Sequence, residues 1–307
     1  MTKGSYTAIA SYNKQIGKCF YKIGLAFSGV SAAAFAAAYP GQFVEVDLSQ
    51  ARLPAVADIP QNLRDSAQRN LILRRPFSFS DICVEADKTT IEILYCTVGP
   101  ASLRLSTLKA ADTVGIIGPL GKGFMLAAKK TTALLVLGGM GAGPLVHLAK
   151  HLRKNNPAMN ITAFIGAKSL ADLPFENAAS KISDKPGDYI TEFAASNVQT
   201  CIATDDGSAG FRGFVTDRLF KYLSDSPPNP VQTVIYACGP EPMLAAVAKI
   251  AEAKNIACQV SMERRMACGI GLCQGCAVEC KVNNSHHTIY KMCCQDGPVF
   301  DSSEVVF

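Results

Sequence analysis

The C-terminal part of the chain carries Cys268-x4-Cys273-x2-Cys276 and, further on, the adjacent pair Cys293-Cys294. Thiols crowded in this way belong either to a disulfide knot or to a metal site, and the redox compartment decides between the two. The first three reproduce the ligand run of plant-type [2Fe–2S] centres. Gly269, Gly271 and Gly275 lie among them. A loop wrapped around a cluster must take unusual backbone angles and turn its N–H groups toward the sulfurs, and small residues permit both. The rival is a four-cysteine zinc site, because Cys273-x2-Cys276 is also half of a zinc knuckle. Zinc ribbons favour two matched C-x2-C halves, however, and two adjacent cysteines do not easily bind one metal.

The compartment can be argued from the rest of the chain. Six of the 12 cysteines in 307 residues, Cys280 among them, crowd into this part; the other six are scattered from Cys19 to Cys258 and read as small buried hydrophobes. The uncharged, alanine-rich stretch Ile23–Ala38 raises the question of a signal peptide or a membrane span. It falls short of the ~20 apolar residues that a span needs. Lys3, Lys14, Lys18 and Lys22 precede it, whereas a secretory signal places its apolar core near the N-terminus. A cytoplasmic, reducing location is therefore expected, and with it metal-binding thiols. The net charge of +5 comes from 30 bases against 25 acids with no Lys/Arg run longer than two, which argues against nucleic-acid binding.

Periodicity divides the chain. From residue 6 to about 125 short β-rich runs alternate with turn residues: Tyr6–Ser11, Cys19–Leu25, Phe43–Leu48, Pro76–Phe79, Thr90–Tyr95 and Thr113–Ile117. That spacing predicts a small antiparallel barrel. From about 131 strands and helices alternate. Strands are expected at Thr132–Leu137, Ile161–Ile165, Val198–Ala203, Val231–Ala237 and Ile256–Met262. Helices are expected at Leu145–Lys154, Phe214–Leu223 (Asp217 and Arg218 on its polar side) and Glu241–Lys254. Such alternation predicts a parallel sheet covered on both faces. The expected architecture is α+β and multidomain: an antiparallel β-barrel over 1–127, a parallel α/β nucleotide-binding domain over 128–262 and a small cysteine-rich domain over 263–307.

Two loops at strand ends suit a nucleotide. Gly139, Gly141 and Gly143 stand between a strand and a helix, where backbone N–H groups and a helix N-terminus can meet a phosphate. Their spacing departs from G-x-G-x-x-G, and Gly166-Ala167-Lys168 stands where an acid would close the dinucleotide fingerprint. Cys238-Gly239-Pro240 occupies the equivalent place later in the sheet. In the barrel, Arg75-Pro76-Phe77-Ser78 offers a guanidinium and a hydroxyl on a rigid strand end, against the plainer reading of a proline-bearing edge strand. His147 and His151 have the i, i+4 spacing of zinc ligands, but Leu148 follows where a metalloprotease has Glu, so a solvated helix face is expected. No catalytic triad or carboxylate pair is legible.

Several of these stretches together resemble a known family: Pro40-Gly41-Gln42-Phe43, Arg75-Pro76-Phe77-Ser78, Gly118-Pro119-Leu120-Gly121, Gly138–Leu145, Thr204-Asp205-Asp206-Gly207-Ser208, Cys238-Gly239-Pro240, Glu263–Cys276 and Cys294–Phe300. Met266-Ala267-Cys268-Gly269-Ile270-Gly271 with Cys294-Gln295-Asp296-Gly297-Pro298-Val299-Phe300 is the most specific part. The chain resembles the electron-transfer subunits of NAD-dependent (type B) dihydroorotate dehydrogenases, within the ferredoxin-reductase superfamily. The resemblance implies FAD on the barrel, NAD on the α/β domain and one [2Fe–2S] cluster on Cys268, Cys273, Cys276 and, by the Asp-Gly-Pro-Val-Phe frame, Cys294 rather than Cys293. It implies FAD contacts at Arg75, Pro76, Phe77, Ser78, Leu94, Tyr95, Cys96, Ala101 and Ser102, and NAD contacts at Gly139, Gly141, Gly143, Cys238, Gly239 and Pro240. Cys96 replaces the family's usual arginine, and Ala101-Ser102 its Gly-Thr. The implied partner is an FMN-containing catalytic subunit, two copies of each making a heterotetramer. Electrons from dihydroorotate would pass through cluster and FAD to NAD, in pyrimidine (UMP) biosynthesis. The missing basic cluster after the second α/β strand favours NAD over NADP. Two alternatives stand beside this: an NAD(P)H-dependent ferredoxin-reductase-type flavoprotein serving another redox partner, and a zinc-stabilised binding module.

Overall fold

The computed structural model describes residues 3–127, 129–176, 178, 182–282 and 287–307. The boundary expected between 127 and 128 falls on Ala128, which lies outside the described residues.

Strands β1 (Gly4–Gln15), β2 (Phe20–Ser28), β3 (Phe43–Asp47), β4 (Arg75–Ser78), β5 (Asp81–Val84), β6 (Lys88–Cys96) and β7 (Thr113–Leu120) form one antiparallel sheet in the order β4-β3-β7-β1-β2-β6-β5. Its two edges, β4 and β5, are separated in sequence only by Phe79 and Ser80. The sheet therefore rolls up into a half-open barrel, and across its seam Phe77 of β4 reaches Tyr95 of β6. Alternation sorts the side chains. Ile91, Ile93 and Tyr95 of β6 enter the barrel core with Ile23, Leu25, Val44, Val46 and Ile116, so Glu92, Leu94 and Cys96 face outward.

Helix α1 (Gly29–Ala36) closes one end of the barrel, its Phe35 ring stacked on Phe27 at 3.9 Å. The stretch Ile23–Ala38 is thus half strand and half helix, broken at Gly29 with φ +59°. Among the described residues no helix is long and apolar enough to cross a membrane. Two short helices, α2 (Arg64–Ala67) and α3 (Pro100–Leu105), flank the barrel, and Arg104 Nη1 joins them through the Ala67 carbonyl at 3.2 Å.

The second half contains β8 (Thr132–Gly138), α4 (Ala142–Asn155), β9 (Asn160–Ala167), α5 (Thr191–Ala194), β10 (Gln199–Thr204), β11 (Phe211–Arg212), α6 (Val215–Asp225), β12 (Thr233–Cys238), α7 (Glu241–Ala253) and β13 (Ala257–Ser261). After it come the hairpin β14 (Ala277–Lys281) and β15 (Thr288–Met292), then β16 (Val299–Asp301). The sheet order is β11-β10-β9-β8-β12-β13-β16, parallel throughout except for β16, which pairs antiparallel with β13. Strand β8 is buried on both faces, as a covered parallel strand must be. Leu134 and Val136 meet Leu219 of α6 and Leu244 and Val247 of α7, while Leu135 and Leu137 meet Leu145 and Leu148 of α4. The chain builds outward from β8 to β10 and then returns to place β12 on the other side of β8. That reversal makes a topological switch point, where ligands of open α/β sheets bind.

One expected surface position is corrected. Arg218 is buried, its Nε donating to the Asp184 carbonyl at 3.0 Å. It stands three residues after Val215, on the same helical stripe that buries Val215 and Leu219.

Candidate functional site

The barrel seam brings the first set of expected residues together. Arg75-Pro76-Phe77-Ser78 is the whole of β4, and Leu94, Tyr95 and Cys96 end β6. The Phe77 ring meets Tyr95 edge-on with centroids 6.3 Å apart. Tyr95 is barrel core: it stacks on Tyr21 at 5.4 Å and its hydroxyl donates to Asn13 Oδ1 at 2.8 Å. Leu94 and Cys96 are the members of that segment whose side chains look outward. Arg75 Nη1 donates to the carbonyls of Leu73 (2.8 Å) and Arg74 (3.0 Å), which anchors the guanidinium at the strand start. Ala101 and Ser102 lie in α3, where Ser102 Oγ accepts from the amides of Val98 (2.9 Å) and Gly99 (3.2 Å). The hydroxyl expected to meet a phosphate therefore ties its own turn.

The two nucleotide loops sit side by side at the switch point. A Cβ on Gly141 would collide with the Cys238 carbonyl, and one on Gly239 (φ +159°) would come within 3.0 Å of the Gly138 nitrogen. Only glycines allow this approach. Gly143, just inside α4, faces the barrel, with the Cβ atoms of Leu94 and Ser80 each 3.7 Å from where its own Cβ would be. The glycine loop thus opens toward the outward face of β6. Two acids lie beside the end of β9: the amides of Asp205 and Asp206, just beyond β10, donate to the carbonyls of Ala167 (3.1 Å) and Lys168 (3.2 Å). His147 is not on a solvated face. It is buried in α4, and burial pushes its imidazole down to about 4. His151 is half-buried against the Tyr39 ring at 4.7 Å.

The cysteine segment folds back on both sheets. Gly269 and Gly271 take φ of +68° and +90°, and Gln274 takes +57°. The loop curls so that Cys268 Sγ accepts from the Cys273 amide at 3.4 Å. Burial pushes the Cys268 thiol up, but the amides of Cys273, Ile270 and Leu272 outweigh it and bring the group down to about 6. A second pairing joins Cys276 and Cys294, with the Cys294 amide on Cys276 Sγ at 3.5 Å. The Cys294 thiol faces Cys276 and the Gly271 amide. Among the described residues no three His, Cys, Asp or Glu side chains gather around one point. Two sulfur pairs are the arrangement in which two irons take two cysteines each. Cys293 Sγ instead donates to the Met262 carbonyl at 3.4 Å, and Cys280 is enclosed in the core.

Glu45 is the residue that sequence reasoning missed. It sits in β3 opposite Pro76, facing away from Val44 and Val46. It is 0% exposed and neither carboxyl oxygen has a hydrogen-bond partner. The cluster loop lies directly on it: a Cβ on Gly269 would meet Glu45 Cγ at 2.5 Å. Burial pushes its carboxyl up to about 7, with Arg75 and Arg74 opposing and Cys268 adding to the rise. In sequence it reads as the exposed phase of an alternating strand. Nothing local reveals that a distant loop covers that face.

Comparison with known proteins gives the family. Residues 263–306 match the iron–sulfur cluster binding domain of dihydroorotate dehydrogenase B, and residues 135–249 match an oxidoreductase NAD-binding domain. Over 269 residues the chain is 33% identical to the dihydroorotate dehydrogenase B (NAD(+)) electron transfer subunit of Caldanaerobacter subterraneus, covering 88% of this chain and 87% of that one. The Bacillus caldolyticus subunit of the same description is 38% identical over 269 residues, covering 87% and 86%. A solved NADH-dependent reduced ferredoxin–NADP oxidoreductase superposes with a TM-score of 0.71 at 25% identity, covering 99% of this chain and 91% of that one. A ferredoxin NADP+ reductase from Neisseria gonorrhoeae gives 0.57 at 14% identity over 86% and 95%, a likeness of fold alone. With an iron–sulfur segment beside a NAD-binding sheet, and identity running through most of both chains, this chain belongs to the family of electron transfer subunits of dihydroorotate dehydrogenase B, oxidoreductase components of ferredoxin-reductase-like fold.

Proposed function

We propose that the chain carries electrons between a dihydroorotate-oxidising, FMN-containing partner subunit and NAD, using a [2Fe–2S] cluster and FAD. The observation that carries this reading is convergence on the barrel seam. The cluster loop rests on Glu45 from one side, and the glycine loop faces Leu94 and Ser80 from the other. A flavin seated at that seam would exchange a hydride with nicotinamide and single electrons with the cluster.

The residues divide the work. Cys268 with Cys273, and Cys276 with Cys294, supply the four thiolates, and the amides aimed at Cys268 stabilise negative charge there. Arg75, with Pro76, Phe77, Ser78 and the outward Leu94 and Cys96, lines the flavin seat, and the turn fixed by Ser102 borders it. Gly139, Gly141, Gly143 and Cys238-Gly239-Pro240 form the nucleotide crevice. Asp205 and Asp206 beside β9 favour the free ribose of NAD over a 2′-phosphate. Ile270 and Leu272 project uncovered from the cluster loop, and Cys273 is exposed beside them. That apolar rim suits docking of the catalytic partner, in a two-plus-two heterotetramer. Twelve free cysteines suit a reducing cytoplasm.

The test is anaerobic co-expression with the dihydroorotate dehydrogenase catalytic subunit encoded by the same genome. A co-purifying brown complex that reduces NAD with dihydroorotate supports the proposal. A colourless chain with stoichiometric zinc, or a coloured one that transfers NADH electrons only to ferredoxin, overturns it. Arg75→Ala is expected to raise the FAD dissociation constant roughly ten- to hundredfold, the value of a charge-assisted hydrogen bond. FAD content after gel filtration checks this.

A further inference from the structure

Cys19 and Cys96 carry free thiols outside the cysteine crowd, with sulfurs 2.9 Å apart. The backbone holds them in place: Phe20 pairs with Cys96 across β2 and β6, and the Thr97 amide donates to the Cys19 carbonyl at 2.9 Å. Unlike Cys201, Cys258 and Cys280, which are enclosed in cores, both are only half-buried. A disulfide requires a separation of about 2.05 Å, so closing this pair asks each sulfur to move by about 0.4 Å. The Cys96 thiol donates its hydrogen to Cys19 Sγ. Burial and that bond push the Cys96 thiol up to about 12.

We propose that Cys19 and Cys96 form a reversible dithiol–disulfide site whose reactants are low-molecular-weight disulfides such as glutathione disulfide. Cys19 gives up its proton and attacks one sulfur of glutathione disulfide, whose S–S bond breaks and releases one glutathione thiolate. Cys96 then loses its proton and attacks Cys19 Sγ of the mixed disulfide. The protein S–S bond forms and the second glutathione leaves. The two protein protons end on the two glutathione thiols, and the two electrons lost by Cys19 and Cys96 reduce one glutathione disulfide. The bond would join the start of β2 to the residue that precedes the 97–102 turn, so the thiol–disulfide balance of the surroundings would set the stiffness of that turn.

The cluster-loaded full chain is incubated anaerobically with glutathione disulfide, alkylated and mapped by mass spectrometry. The expected product is a Cys19–Cys96 cross-linked peptide two hydrogens lighter than the reduced pair, with cluster absorbance retained and full reversal by dithiothreitol. Cys96→Ser is expected to stop at a glutathione adduct on Cys19, with no cross-link. Alkylation of both thiols after prolonged incubation, or a wild-type chain that accumulates only glutathione adducts at these positions, overturns the site. Cys19→Ala, which leaves a small side chain at the turn, must likewise abolish the cross-link. A cross-link that persists from Cys96 to another cysteine in that variant also overturns it.

Discussion

Cys294→Ser is expected to abolish the visible absorption and reduced-state EPR signal of the cluster, whereas Cys293→Ser leaves both. The two residues are chain neighbours, both nearly inaccessible, and composition cannot separate them. Orientation does. Cys293 Sγ donates to the Met262 carbonyl at 3.4 Å, while the Cys294 thiol is hydrogen-bonded with Cys276 and the Gly271 amide. With Cys294 as the proposed fourth ligand, a serine there removes one of the four thiolates the cluster needs, so near-complete loss is expected. A serine at 293 exchanges one weak donor for a stronger one toward the same carbonyl, and stability should change by no more than about 1 kcal/mol. Iron content and EPR of the two variants, purified anaerobically in parallel, check the assignment. Loss in the 293 variant with retention in the 294 variant would reverse it.

Glu45→Gln is expected to stabilise the chain at alkaline pH and to flatten its pH dependence. The ordinary carboxyl value of 4.5 is raised to about 7 in the folded chain, chiefly by burial. A carboxyl raised on folding binds its proton more tightly in the native state. Its effect on stability is therefore most favourable below about pH 4.5, and stability falls as pH rises until the native group has itself ionised, near pH 7. The full span corresponds to about 3 kcal/mol. Glutamine has nothing to ionise, so its advantage over the parent should grow by about 2–3 kcal/mol between pH 5 and pH 8. Urea titrations followed by far-ultraviolet circular dichroism at the two pH values measure this. Parallel pH profiles for the two proteins would show that Glu45 is already ionised in the fold, or is not enclosed by the cluster loop.

The parts of the molecule legible in the sequence were those encoded over short distances. The Cys268-x4-Cys273-x2-Cys276 spacing, the glycines of 138–143 and the strand-helix rhythm after residue 131 each depend on neighbours within a turn or two, and the structure bears out the barrel and the parallel sheet. What escaped depends on partners far along the chain. Strand β5 is four residues with two exposed, and β16 is three residues long. Each exists because another strand offers an edge to pair with. Arg218 and His147 look like surface residues by type and were buried by helix phase and by the barrel packing on α4. Asp205 and Asp206 were visible as a motif, but their place beside Ala167 follows from β10 lying parallel to β9. Glu45 needed the most distant information of all, a loop more than two hundred residues later in the chain.

The pairing of β13 with β16 has a consequence for how the redox segment moves. Ser261 stands opposite Val299, and the Met262 amide donates to the Pro298 carbonyl at 2.8 Å. The described residues between these points, including all four candidate thiolates, form an excursion that leaves the sheet at β13 and rejoins it at β16. The β13–β16 pairing pins both ends of this excursion, so it is not an appendage tethered at one end. Whatever spacing evolution settled between the cysteine loop and the nucleotide crevice is held by the same hydrogen-bond ladder that holds the sheet. Loosening that spacing would require fraying β13 itself, not bending a hinge.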